Sequence, residues 1–133
     1  MKKFLLPCIF ILTLTACIDP EPEGNKYFLL LHLEKQELMG TRYLPVTRKD
    51  SMFAISDSVA YMLGAANLVS HEKNLQRMKT EGLGVYERVK DFSVTDSAGK
   101  DIKPYLKPAY IQRIDRFIEN QREEIWKSTI EKE

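Results

Sequence analysis

His71 and Glu72 stand side by side. That pair is the first half of a zinc-hydrolase pattern, whose second histidine follows four residues after the first on the same helix face. The position is Leu75 here, so the pattern fails, and His71, Glu72, Lys73, Asn74 and Gln76 read as a solvated polar helix face. The other histidine, His32, has no cysteine or second histidine at ligand spacing, and a lone histidine in an apolar run reads as a core or boundary imidazole. No metal site is expected. Ser51, Ser56 and Ser58 offer hydroxyls, but a nucleophile and its base must come within hydrogen-bond reach in the fold, and no spacing here encodes that. Gly82-Leu83-Gly84 is too short for a dinucleotide loop, and Gly99-Lys100 is followed by Asp101 rather than Ser or Thr. No catalytic residue and no cofactor are assigned.

The residue with the best-defined chemistry is Cys17. Lys2 and Lys3 give a positive start, and Phe4 to Leu14 is nearly all apolar. Such a run is too short for a bilayer core, which needs about 20 helical residues, and has the form of a signal peptide. It closes on Leu14-Thr15-Ala16-Cys17, which resembles the lipobox of bacterial lipoproteins. The resemblance covers residues 1–17 only. It implies a signal peptide over 1–16 cut between Ala16 and Cys17, a diacylglyceryl group on the Cys17 sulfur, and an acylated new N-terminus. Two or three acyl chains anchor firmly where one binds only marginally. Residue 18 is Ile rather than Asp, which by the same resemblance favours the outer over the inner membrane of a bacterial envelope.

A chain starting at Cys17 has 117 residues, enough for one domain that buries about two-thirds of its unfolded surface. With Cys8 removed and Cys17 lipidated, no disulfide is available, so packing and backbone hydrogen bonds must hold the fold. Without Lys2 and Lys3 the charge is 18 basic against 19 acidic side chains. That balance gives no electrostatic footprint for nucleic acid and no polybasic patch for anionic lipid. Residues 17–26, with Asp19-Pro20-Glu21-Pro22-Glu23-Gly24, read as a lipidated cysteine and a stiff, solvated tether. Residues 27–133 are left as a single domain.

Within that domain the spacing of Tyr27, Leu30, Leu31, Glu34 and Leu38 predicts a helix ending near Gly40, with a buried strand over 28–33 as the alternative. Thr41 to Lys49 reads as a connection. Ser51 or Ser56-Asp57 caps a long helix to about Thr80, with Met52 to Ile55 as a separate short element in the second case. Ala60, Gly64 and Asn67 or Leu68 mark a slim patch on it for close packing. Val85, Val89 and Phe92 fit a short helix, and a hairpin near residues 92–103 would turn at Asp96-Ser97-Ala98-Gly99. Pro108 opens a last amphipathic helix through Ile111, Ile114, Phe117 or Ile118, Gln121 and Ile125. The expected fold class is mainly α, a bundle of about three long helices with that short hairpin; α+β is the alternative.

Tyr110, Arg122 and Trp126 are the candidate partner-binding residues, because aromatic side chains and arginine anchor interfaces. The expected function is a non-catalytic interaction module held at the membrane by its lipid, serving an envelope protein as accessory, pilot or inhibitory partner. The oligomeric state is left open. A small enzyme, or a carrier of an apolar ligand prompted by Met52, Met62 and Met78, are the alternatives.

Overall fold

Tyr27, Leu29, Leu31 and Leu33 are each about 3% exposed, and the residues between them are half-buried. A period of two belongs to a strand. The structure, a computed structural model, describes residues 24–37, 39–40, 42–84 and 86–130, and here the chain folds as strands β1 (Asn25–Gln36) and β2 (Tyr43–Ala54), helix α1 (Asp57–Thr80), strand β3 (Glu87–Asp96), a single 3-10 turn (Lys103–Tyr105) and helix α2 (Pro108–Ile130). The sheet is antiparallel in the order β2-β1-β3. The fold is therefore α+β, and the helical bundle is corrected.

Three segments carry the correction. The helix expected from Tyr27 is the central strand, because as a strand its backbone is paired on both sides, with β2 and with β3. Asn25 and Lys26, at the end of the tether in sequence, already pair with Ala54 and Phe53. The connection at 41–49 and the separate element at 52–55 form one twelve-residue strand, β2. The short helix through Val89 and Phe92 is β3. A bulge opposite His32 and Leu33 sets Val89 and Phe92 on one face although they are three apart. Thr95 makes one isolated bridge to Asp101, so the expected hairpin shrinks to a turn. There Asp96 Oδ1 accepts from the N–H groups of Ala98 and Lys100, each at 2.9 Å. Leu14 to Cys17, Leu38, Thr41 and Val85 lie outside the described residues.

Ser56 caps α1 by accepting from the Val59 N–H at 3.3 Å. Gly64 lets the helix approach β3: a Cβ there would stand 2.8 Å from Val94 Cγ2 and 3.0 Å from the Phe92 ring. The next face of α1, through Tyr61, Ala65, Val69 and Glu72, is buried too. α2 packs on α1 and runs the same way: Tyr110 donates to the Ser58 carbonyl at 2.6 Å, and farther along Arg122 meets Glu72. Ile114, Ile118 and Ile125 complete one continuous core. The helices sit on a single face of the sheet, and α1 lies more against β3 than against β1 or β2.

Candidate functional site

Because the helix layer is offset toward β3, most of β2 is left open: of its twelve residues only Ala54 is buried, with Val46 half-buried and Met52 half-buried against the core. Between β2 and the side of α1 that overlooks it runs an open groove of about 290 Å³, lined by Leu31, Arg48, Asp50, Asn67, Ser70, His71 and Asn74. Arg48, Asp50 and Leu31 share one sheet face by register, since Leu31 pairs with Arg48 and Leu29 with Asp50. Asn67, Ser70, His71 and Asn74 are three and four apart on α1, one edge of a helix. Past His71 and Asn74 a second recess of about 310 Å³ continues to Lys35, Gln36, Met78, Tyr86 and Glu87.

The groove is polar and charged. Arg48 Nε lies 4.0 Å from Asp50 Oδ2 with both side chains 59% exposed, a contact that water screens and that a ligand group can displace. Asn67, Ser70 and Asn74 are exposed. His71 is held in place, its Nε2 at 3.0 Å from Glu87 Oε1 and both side chains mostly covered. A cation, a carboxylate, the Asn67 amide and a hydroxyl stand in one row, while the Asn74 amide accepts from Arg77 at 2.8 Å and donates to Met78 Sδ. Among the described residues no cluster of three or more His, Cys, Asp or Glu could hold a metal ion.

The opposite face of the sheet is uncovered by helices but satisfied by its own side chains. His32 bridges three strands there, with Nε2 at 3.1 Å from Ser93 Oγ and Nδ1 at 3.4 Å from Thr47 Oγ1. Lys26 and Lys49 lie over the Phe28 ring at 5.3 and 4.3 Å. Glu34 takes Arg88 at 2.7 Å and Lys90 at 3.5 Å, and the hydrogen bond from Arg88 holds its carboxyl below the usual carboxylate range. On the core side, burial and then the hydrogen bond to Asp57 raise the Tyr27 phenol, and burial pushes Tyr61 up to about 12.

The three residues singled out on α2 are bonded inside the chain. Glu72, 6% exposed, accepts from Arg122 Nε at 3.1 Å and from Trp126 Nε1 at 2.8 Å, and Arg122 Nη2 donates to the Val89 carbonyl at 2.6 Å. Trp126 is overlaid by Lys79 at 5.7 Å, and Tyr110 holds Ser58. Glu72 thus leaves the solvated face where sequence reasoning put it, and becomes the buried carboxylate that clamps α2 to α1. Its spacing from Tyr61, Ala65, Leu68 and Val69 was the available sign. The groove residues Arg48, Asp50 and Glu87 gave no such sign, because they meet only when β2 and β3 form.

Comparisons with protein-family models, with curated proteins and with solved structures return no match.

Proposed function

We propose that this chain is a lipid-anchored protein of the bacterial envelope, outer membrane favoured, acting as a non-catalytic interaction module. The docking face is the groove between α1 and β2. The carrying observation is β2 itself, twelve residues long with nine exposed, beside a row of exposed polar groups on α1. A strand left bare on the side where its neighbours are covered forgoes apolar burial, and such surface in a small domain fits an interface. The groove is polar and shallow, which suits a protein segment better than an apolar ligand or a reacting small molecule. Pro45, Arg48 and Lys49 protect β2 from indiscriminate strand pairing, so the partner is selected by side chains.

The test is co-purification from membranes by the native chain and by Arg48→Glu with Asn67→Arg, both exposed positions, with the variant's fold checked by circular dichroism and thermal unfolding. The reading expects an acylated mass starting at Cys17 and an envelope protein retained by the native chain and lost by the variant. Equal retention by both would overturn the groove, and an unmodified Cys17 would overturn the anchor.

A further inference from the structure

Resting on the lipid-anchor reading, we propose that the end of the domain bearing Ile55, Phe53 and Val59 contacts the lipid bilayer itself, so that the anchor fixes orientation as well as location. The occupant of this surface is the interfacial layer of a phospholipid membrane.

The argument starts from where the tether enters. β1 begins at Asn25, and the seven residues between it and Cys17 span at most about 25 Å however they are arranged. Gly24, at φ +102°, sits so tightly on the end of β2 that a Cβ would come 2.4 Å from the Ala54 carbonyl oxygen, so the entry point is fixed to the body of the fold. The strands are long: twelve residues at about 3.3 Å each make about 40 Å. The end where the tether enters therefore stays beside the membrane, while the end at Met39 and Leu83 is a full strand length away.

Everything that meets at the tether end is known from pairing. Asn25 faces Ala54, Tyr27 faces Asp96, α1 starts at Asp57 and Tyr110 ties the first turn of α2 to Ser58. Around it the apolar side chains are uncovered: Ile55 is 73% exposed, with Phe53 and Val59 beside it in sequence and Leu63 one turn on, all exposed. Tyr105 joins them from the 3-10 turn, exposed and with Lys100 5.4 Å from its ring centroid. An aromatic ring with a polar tip suits the headgroup level of a bilayer. Lys26, Lys100 and Lys103 can keep their ammonium groups in the headgroups while their stems lie along the apolar surface. The described carboxylates of this end are engaged within the chain: Asp57 accepts from Tyr27, and Asp96 and the exposed Asp101 accept from backbone N–H groups. Exposed apolar side chains also occur at the far end, at Met39, Leu83 and Tyr86, and it is the tether that assigns lipid to one end and leaves the other free.

The experiment places a single environment-sensitive label on the full lipidated chain, whose lipidated Cys17 leaves no free thiol to compete. Ile55→Cys and Val59→Cys report the tether end, and Met39→Cys and Leu83→Cys the far end, in vesicles of phosphatidylethanolamine and phosphatidylglycerol carrying a headgroup-level quencher lipid. All four positions are exposed, so labelling leaves the fold intact. The proposal expects at least several-fold stronger quenching at 55 and 59 than at 39 and 83. Equal quenching at both ends, or a label at 55 shielded from water without lipid quenching, would overturn it. Intact mass of the same sample separates the premises: weak quenching with an acylated Cys17 refutes the contact alone, and an unacylated Cys17 refutes the anchor on which it rests.

Discussion

Truncating Arg122 to alanine tests how α2 is held. The Glu72 side chain is 8% exposed and takes two donors, Arg122 Nε and Trp126 Nε1. Arg122→Ala leaves that carboxylate with the indole alone and removes the donor to the Val89 carbonyl. Breaking one side of a fully buried ion pair costs about 3–5 kcal/mol. The Arg122 side chain is 32% exposed, so water enters where the guanidinium was, and the expected loss falls to about 2–3 kcal/mol. Replacing both members by leucine leaves no charge buried but removes the acceptor of the Trp126 indole and the donor to the Val89 carbonyl, so it should cost about 1–2 kcal/mol, less than Arg122→Ala alone. Trp126 is the only tryptophan and sits in the cluster, so its emission during urea unfolding follows the docking of α2 directly. A double-mutant cycle with Glu72→Ala should return a coupling of about 1–3 kcal/mol. A loss below about 0.5 kcal/mol for Arg122→Ala, the range of an ordinary surface change, would refute the clamp.

Further outcomes follow from the same geometry. Gly64→Ala should destabilise by about 1 kcal/mol in thermal unfolding, since crowding against Val94 and Phe92 outweighs the gain of about 1 kcal/mol in helix propensity; a more stable variant would show that α1 has room to spare. Ser56→Ala removes the α1 cap and should cost about 1 kcal/mol by the same assay. Tyr61 binds its proton more tightly folded than unfolded, so its contribution is complete below about pH 10 and is lost as pH rises toward about 12. Tyrosinate absorbance and near-ultraviolet dichroism should therefore change together on the alkaline side, and Tyr61→Phe should flatten that loss. Arg88→Gln removes the leading cause of the lowered Glu34 carboxyl, so carbon-detected NMR titration should find it moved up toward the ordinary carboxylate value.

What the sequence made legible depended on whether a pattern was local. α1 and α2 could be read because Ser56, Pro108 and the isoleucines of α2 lie within the elements they define. The strands could not. In β1 the alternation of Tyr27, Leu29, Leu31 and Leu33 is hidden by Phe28 and Leu30 on the other face, which lysine stems and neighbouring strands half-bury without any helix. In β2 the usual apolar signal is weak because the helices cover only its Met52–Ala54 end, so the feature that makes it a docking candidate also made it look like a connection. The β3 bulge puts Val89 and Phe92 on one face at helical spacing. Glu72 was visible in principle, three residues past Val69 on a buried face, but a glutamate followed by Lys73 and Asn74 reads as solvated until Arg122 is brought over it. The groove itself joins β1, β2, α1 and β3, and no local spacing records that meeting.

The most direct test of the docking face is a photo-crosslinking scan in intact bacterial membranes, with the probe residue placed in turn at Arg48, Asn67 and Ser70 in the groove and at Arg116 and Asn120 on exposed positions of α2. The account predicts one discrete adduct with an envelope protein from the three groove positions and none from the two on α2. Adducts from Arg116 and Asn120 with silence from the groove would contradict it and move the interface to the solvent-exposed face of α2.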